Sequence, residues 1–123
     1  MAGKNPIGWF EIYVKDFDSA RKFYGAIFDW EFKPSQGTKS LYWNIFTGES
    51  SIGGGLMKKE GQGHEGSSVL IYVEVGDINE TLKKITENGG KVNTVKTLIN
   101  ETAGSFALFN DTDGNLIGLW SKN

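Results

Sequence analysis

Two carboxylates carry most of the chemical interest of this chain, because each falls inside an alternating stretch rich in aromatic residues. Trp9, Glu11 and Tyr13 share one parity of the run from Ile7 to Val14, and Leu70, Tyr72 and Glu74 share one parity of the run from Val69 to Val75. Side chains of one parity in a strand project to one face, so each set forms a patch in which an acid sits among rings. A carboxylate in such company is costly to bury unless it is paired or hydrogen-bonded, and one so placed is a candidate general base. Glu11 and Glu74 are therefore the candidate catalytic residues. The same parity argument adds Trp43, Met57, Phe106 and Trp120, and a face lined by aromatics with a few polar groups is the usual lining of a small-molecule site. The opposing readings are that the tryptophans fill space or pack an interface, and that Glu11 sits in a salt bridge or on an exposed rim.

Other chemistry-bearing residues are thinly spread. The chain has no cysteine, which removes disulfides, thiolate metal sites and a cysteine nucleophile. Its one histidine, His64, lies in the polar, glycine-rich stretch Lys59 to Ser68 and reads as solvated. Gly53-Gly54-Gly55 has no following lysine and opens no helix, so it does not cradle a phosphate; it reads as a thin strand that something approaches closely, or as a bulge. Asp111 and Asp113 alternate as in a calcium loop, but the other ligands and the closing glutamate are missing, and they read as turn formers.

The elements that must position these residues follow from periodicity. After the first strand, Asp16 or Asp18 can cap a helix on which Ala20, Phe23, Tyr24, Ile27 and Phe28 recur at helical spacing. Phe10, Ile12 and Val14 form the strand face expected to pack on that helix. Extended chain resumes at Asp29-Trp30-Glu31-Phe32, and two further strands fit Leu41 to Phe46 and Ile52 to Lys58. Beyond the seam at 59–68 the order repeats: a strand to Val75, a helix capped by Asp77 with Ile78, Leu82 and Ile85 that ends at Gly89-Gly90, then strands over Lys91 to Thr97, Gly104 to Asn110 and Asn115 to Ser121. Residues recur as well. Val14, Asp16, Phe17 and Lys22 match Val75, Asp77, Ile78 and Lys83, and Gly55-Leu56 matches Gly118-Leu119, as a duplicated module requires.

Composition sets outer bounds. At 123 residues with 38% hydrophobic and 23% charged content, the chain suits one globular domain over 1–123, with modules near 7–58 and 69–121. A net charge of −2 without a basic stripe argues against nucleic acid. The opening run to Pro6 has no apolar core and no stretch reaches the roughly 18 apolar residues of a membrane span, so neither export signal, membrane span nor membrane partner is expected, and the cytoplasm is the expected compartment.

The segment from Ile12 to Trp30, IYVKDFDSARKFYGAIFDW, resembles the opening of the glyoxalase, bleomycin-resistance and dioxygenase group, the vicinal oxygen chelate superfamily. Asp77-Ile78-Asn79-Glu80-Thr81-Leu82 with Gly89-Gly90 is similar to that group's second helix, and Phe109 to Asn115 to its aspartate-glycine turn. The likeness is greatest to short proteins described as related to lactoylglutathione lyase. It implies an α+β fold in which two βαβββ modules form a curved mixed sheet around a cup, with the helices on the outer face and often a homodimer. In metal-dependent members His, Glu or Gln at four strand positions hold a divalent ion that chelates vicinal oxygens of the substrate. Those positions fall here at Trp9, Gly55, Leu70 and Gly118, none of which binds a metal.

The expectation is accordingly a metal-independent, glyoxalase-like protein without a cofactor. It would bind a small apolar or aromatic molecule through Trp9, Tyr13, Trp43, Met57, Leu70, Tyr72, Phe106 and Trp120. Two alternatives stand beside it: an isomerase or lyase using Glu11 or Glu74 as base, and a non-catalytic subunit whose cup is filled by side chains.

Overall fold

In the computed structural model, which describes residues 5–35, 41–58 and 69–123, the alternating stretches are strands and both aspartate-capped stretches are helices. The element order is β1 (Ile7–Val14), α1 (Phe17–Phe28), β2 (Glu31–Pro34), β3 (Tyr42–Phe46), β4 (Gly54–Lys58), β5 (Val69–Glu74), α2 (Ile78–Glu87), β6 (Lys91–Asn100), β7 (Gly104–Asn110) and β8 (Leu116–Ser121). The chain is α+β and reads β-α-β-β-β twice. The connection at 59–68, with His64, lies outside the described residues.

Two compact units divide the chain within β1 and β5: Trp9–Leu70 forms one, and Met1–Gly8 with Ile71–Asn123 forms the other. In the first, the strand order is β2-β3-β4-β1, with β1 and β4 parallel and the remaining pairs antiparallel. The second has the order β5-β8-β7-β6, again with one parallel pair, β5 with β8. Each unit is thus a mixed four-stranded sheet accompanied by one helix.

Both helices start the same way. The Asp16 carboxylate accepts from the Ser19 backbone N–H at 2.9 Å, and that of Asp77 from Glu80 at 3.0 Å, satisfying donors that a helix's first turn leaves without partners. They end differently. Asp29 closes α1 in the left-handed region at φ 62°, with its N–H on the Gly25 carbonyl, whereas α2 runs through Asn88 into Gly89 at φ 96°.

Packing separates the two helices further. Ile78 and Leu82 of α2 are buried with Val75, Ala107 and Leu119, and this cluster is the core of the second unit. No residue of α1 is buried; Phe23, Ile27 and Phe28 are each more than half exposed. The first unit's helix is joined to its sheet instead through rings: Tyr24 stacks on Trp30 with centroids 5.5 Å apart, Phe28 lies 5.1 Å from Trp30, and Phe10 of β1 lies 6.1 Å from it. Phe10, Ile12 and Val14, the face expected to pack on the helix, are half-buried, and Phe10 reaches the helix through Trp30; Glu11 and Tyr13, on the opposite face, are the buried members of that strand. At the far edge, β6 runs to Asn100 rather than Thr97, extended through register shifts against β7 that keep the pairing up to the turn before Gly104. No helix among the described residues is long and apolar enough to cross a membrane.

Candidate functional site

Register decides which side chains share a face. In the first unit Glu11 stands opposite Gly55, and Gly55 opposite Asn44; Tyr13 stands opposite Met57, and Met57 opposite Tyr42. Residues in register across neighbouring strands project to the same side, so Glu11, Tyr13, Asn44, Tyr42 and Met57 lie on one face. Ile12, Leu56 and Trp43 form the next row and project to the other side.

Glu11 is the centre of that first face. It is only 7% exposed, and both of its carboxylate oxygens accept from phenols: Tyr13 donates to Oε1 at 3.0 Å and Tyr42 to Oε2 at 2.8 Å. Behind Tyr42 stands Trp9, whose indole N–H donates to the Tyr42 oxygen at 2.8 Å. Short bonds of this kind compensate the loss of water around a buried acid, which otherwise costs several kcal/mol. The two phenols feel the arrangement in turn. Burial pushes the Tyr13 hydroxyl well above its ordinary range, and the charge and hydrogen bond of Glu11 push it the same way. Burial likewise raises Tyr42, aided by Glu11 and opposed by the bond from Trp9. Both therefore remain hydrogen donors at neutral pH.

Gly55 makes room for this cluster. A Cβ placed there would stand 2.1 Å from the Tyr42 hydroxyl oxygen, closer than any real contact, so the tyrosine occupies the space that a side chain at position 55 would need. Next to it, Gly54 lies against the Phe10 ring on the other side. The close approach expected of Gly53-Gly54-Gly55 is thus the seating of Phe10 and Tyr42.

Strand parity misplaced one residue and missed another. Trp43 lies on the helix side, its ring 6.4 Å from Phe17 and covered by the Arg21 guanidinium at 4.0 Å, so it does not join the face it was expected to line. Tyr42 does. The stretch from Leu41 to Phe46 carries bulky apolar or aromatic residues at both parities, which leaves its pattern without a marked face; the signal that could have chosen Tyr42 was the ring-sized gap at Gly55 one strand away.

In the second unit Tyr72 stands opposite Gly118 and Glu74 opposite Trp120, while Trp120 faces Phe106 across β7. These residues share the side away from α2, as parity predicts, and the Tyr72 ring covers Gly118, where a Cβ would come within 2.4 Å of it. Trp120 donates its indole N–H to the Ala103 carbonyl at 2.7 Å. Glu74 is half-buried; its backbone is tied to Pro6 and to the Asn5 amide, and its carboxylate lies beside Gly8. Leu70 is fully buried at the start of β5. The Asn115 side-chain amide donates to the Asp111 carboxylate, as do the backbone N–H groups of Asn115 and Asp113, which holds that carboxyl below its ordinary range and makes Asp111 the turn former expected.

A shallow groove of about 450 Å³ lies on the helix side of the first unit, lined by Asp18, Arg21, Lys22, Gly25, Trp30 and Phe32. Its arginine is bonded to Asp18 and stacked on Trp43.

Comparison with known proteins identifies the family. Residues 6–119 match the model of the glyoxalase/bleomycin resistance protein/dioxygenase superfamily. A glyoxylase-like domain-containing protein from Didymella fabae is 32% identical over 113 residues, covering 89% of this chain and 88% of that one. The chain belongs to the glyoxalase/bleomycin resistance protein/dioxygenase superfamily. Among solved structures, methylmalonyl-CoA epimerase from Mycobacterium tuberculosis superposes with a TM-score of 0.72 at 14% identity, covering 100% of this chain and 93% of that one. A superfamily member from Vibrio splendidus gives 0.65 at 15%, covering 96% and 99%. At these identities the likeness is one of fold.

Position by position, the side chains do not fit the divalent ion of metal-dependent relatives. Gly55 and Gly118 have no side chain and their space is taken by Tyr42 and Tyr72; the Trp9 nitrogen is a donor already directed at Tyr42; Leu70 is a buried hydrocarbon. Among the described residues no three His, Cys, Asp or Glu side chains come together. What the first unit's face does offer is a hydrogen-bonded carboxylate and two phenols among aromatic rings.

Proposed function

We propose that this chain is a metal-independent, glyoxalase-like protein that binds a small apolar or aromatic molecule over Trp9, Glu11, Tyr13, Tyr42 and Met57. The reading rests on the Glu11 cluster: a carboxylate held at both oxygens by phenols, one of them oriented by an indole. Such a group is preorganised, keeping one orientation whether or not a ligand is present, and preorganisation is what lets a few polar atoms select a small ligand. Among the described residues the Glu74 carboxylate has no comparable clamp, and the bonds to Pro6 and Asn5 hold its backbone only.

The test combines metal analysis with ligand binding by the purified full-length protein. Binding that survives chelator treatment, weakens in Glu11→Gln and is unchanged in Glu74→Gln supports the reading. A stoichiometric zinc, nickel, iron or manganese ion whose removal abolishes binding would overturn it.

A second reading makes Glu11 the proton acceptor of an isomerase or lyase, supported by the fold shared with an epimerase and by the burial of this acid among hydrogen donors. To take a proton, Glu11 must release one of its two phenols. In that case Glu11→Gln retains affinity and loses turnover, whereas the binding reading has affinity fall with no turnover under any condition.

A further inference from the structure

The groove on the helix side of the first unit is built from one stripe of α1 and two aromatic residues. Asp18, Arg21, Lys22 and Gly25 recur at helical spacing along one flank of α1, and Trp30 and Phe32 complete the lining. Phe32 is in register with Ile45, Ile45 with Gly54 and Gly54 with Phe10, the face opposite Glu11. The groove and the Glu11 cluster therefore lie on different sides of the sheet.

Gly25 is the residue that keeps the groove open. Glycine is a poor helix former, and neither backbone nor packing calls for one at this position. Its φ is outside the left-handed region, and a Cβ would meet Phe32 and the Trp30 carbonyl at 3.8 Å, ordinary van der Waals contact. Gly54 and Gly55 differ, because the rings of Phe10 and Tyr42 already take their space. At position 25 the space belongs to the groove.

Charge sets the head group that fits. Among the described residues, two cations and one acid line the groove, an excess of one positive charge. Asp18 bonds the Arg21 guanidinium at Nη2 and Nε is buried, so Nη1 is left as a donor without an acceptor among the described residues. The guanidinium lies 4.0 Å over the Trp43 ring, which fixes its plane. Lys22 is exposed and makes no ion pair among the described residues. Trp30 is held in place by Tyr24, stacked on it, and by Phe28, so this wall exists before any ligand arrives.

We infer that the groove is a second binding site, for a small aromatic monocarboxylate. The carboxylate meets Arg21 and Lys22, and the ring lies over Gly25 against Trp30 and Phe32. A planar carboxylate suits the fixed plane of a guanidinium. One negative charge matches the excess in the lining, a dianion exceeds it, and a cation is repelled by it.

Three probes with one ring system and different heads test this: naphthoate, naphthalenemethanol and naphthylmethylammonium, titrated at neutral pH into the ¹⁵N-labelled full chain. The indole N–H cross-peaks of Trp30 and Trp9, assigned through Trp30→Phe and Trp9→Phe, report on the groove and on the Glu11 face. Naphthoate is expected to shift Trp30 with a Kd about tenfold below that of the alcohol, the scale of one charge-assisted hydrogen bond, while the ammonium leaves it in place. Lys22→Gln, at an exposed position, should reduce that preference to about threefold or less. Gly25→Leu, whose side chain fills the groove, should abolish the Trp30 shift while the circular dichroism of the fold is kept. Equal or tighter binding of the alcohol or the ammonium, or a naphthoate preference unchanged in Lys22→Gln, overturns the carboxylate assignment. No shift at Trp30, a shift at Trp9 alone, or a Trp30 shift that survives in folded Gly25→Leu overturns the site itself.

Discussion

The two units are built on one plan, yet their sheet faces exchange two residues. In the first, the residue opposite the strand glycine is the acid Glu11 and the next one along the face is Tyr13; in the second, the residue opposite the glycine is Tyr72 and the next is the acid Glu74. That exchange decides what each face can do. Glu11, in the middle of its strand, is buried and reached by two phenols, whereas Glu74, at the end of β5, is half-buried beside Gly8. The helices diverge in the opposite sense: α2 supplies core to its sheet, and α1 leaves its large apolar side chains open. The second unit invests its buried contacts in stability and the first in a polar cluster.

The largest expected difference between the units lies in their helices. Ile78→Ala, at a fully buried position, should lower unfolding free energy by about 4 kcal/mol, while Ile27→Ala on α1 should stay within about 0.5 kcal/mol, both read from urea denaturation. A comparable loss at Ile27 would mean that α1 is covered in solution. Next come the acids. Glu11→Ala removes the carboxylate to which Tyr13 and Tyr42 donate and should cost about 3 kcal/mol; Glu74→Ala should cost less than about 1. Equal costs would erase the distinction between the faces.

The glycines give a finer test. Gly55→Ala should destabilise by about 2 kcal/mol because its methyl group collides with Tyr42, and most of that cost should vanish in a Tyr42→Ala background. A cost that persists without the tyrosine would locate the strain in the backbone instead. Alkali probes the same cluster through its phenols. Tyr13 and Tyr42 hold their protons above the ordinary value of 10.0, so the unfolded chain releases phenolic protons first and the stability tied to these groups is lost as pH rises beyond about 10. Phenolate absorbance should show two of the four tyrosines ionising late. Glu11→Gln should bring both down only part of the way, because burial, the larger cause, remains.

How much of this was legible in the sequence depended on whether a stretch had one apolar face or two. The capped helices were legible because Asp16 and Asp77 stand directly before helical periodicity, and the faces of β1, β5 and β8 were legible because acids and large rings alternate there with aliphatic residues. On β3, Trp43 and Ile45 alternate with Tyr42 and Phe46, so hydrophobicity carried no parity and Trp43 was placed on the wrong side. The depth of Glu11 was left open for a related reason. Glu11 looks like a surface residue by type, and only the two phenols that reach it, one from a neighbouring position and one from 31 residues away, make its burial tolerable. A pairing across that separation leaves no local trace.

The seat of Tyr42 on Gly55 also bears on how such a chain changes over generations. A histidine or glutamate at position 55, the first step towards a metal-binding relative, cannot enter while the tyrosine is present; removing the tyrosine first strips Glu11 of a hydrogen-bond donor. Each single substitution is harmful and only the pair opens position 55 to a larger side chain. The two kinds of site are therefore separated by a valley in sequence space whose floor is one steric contact.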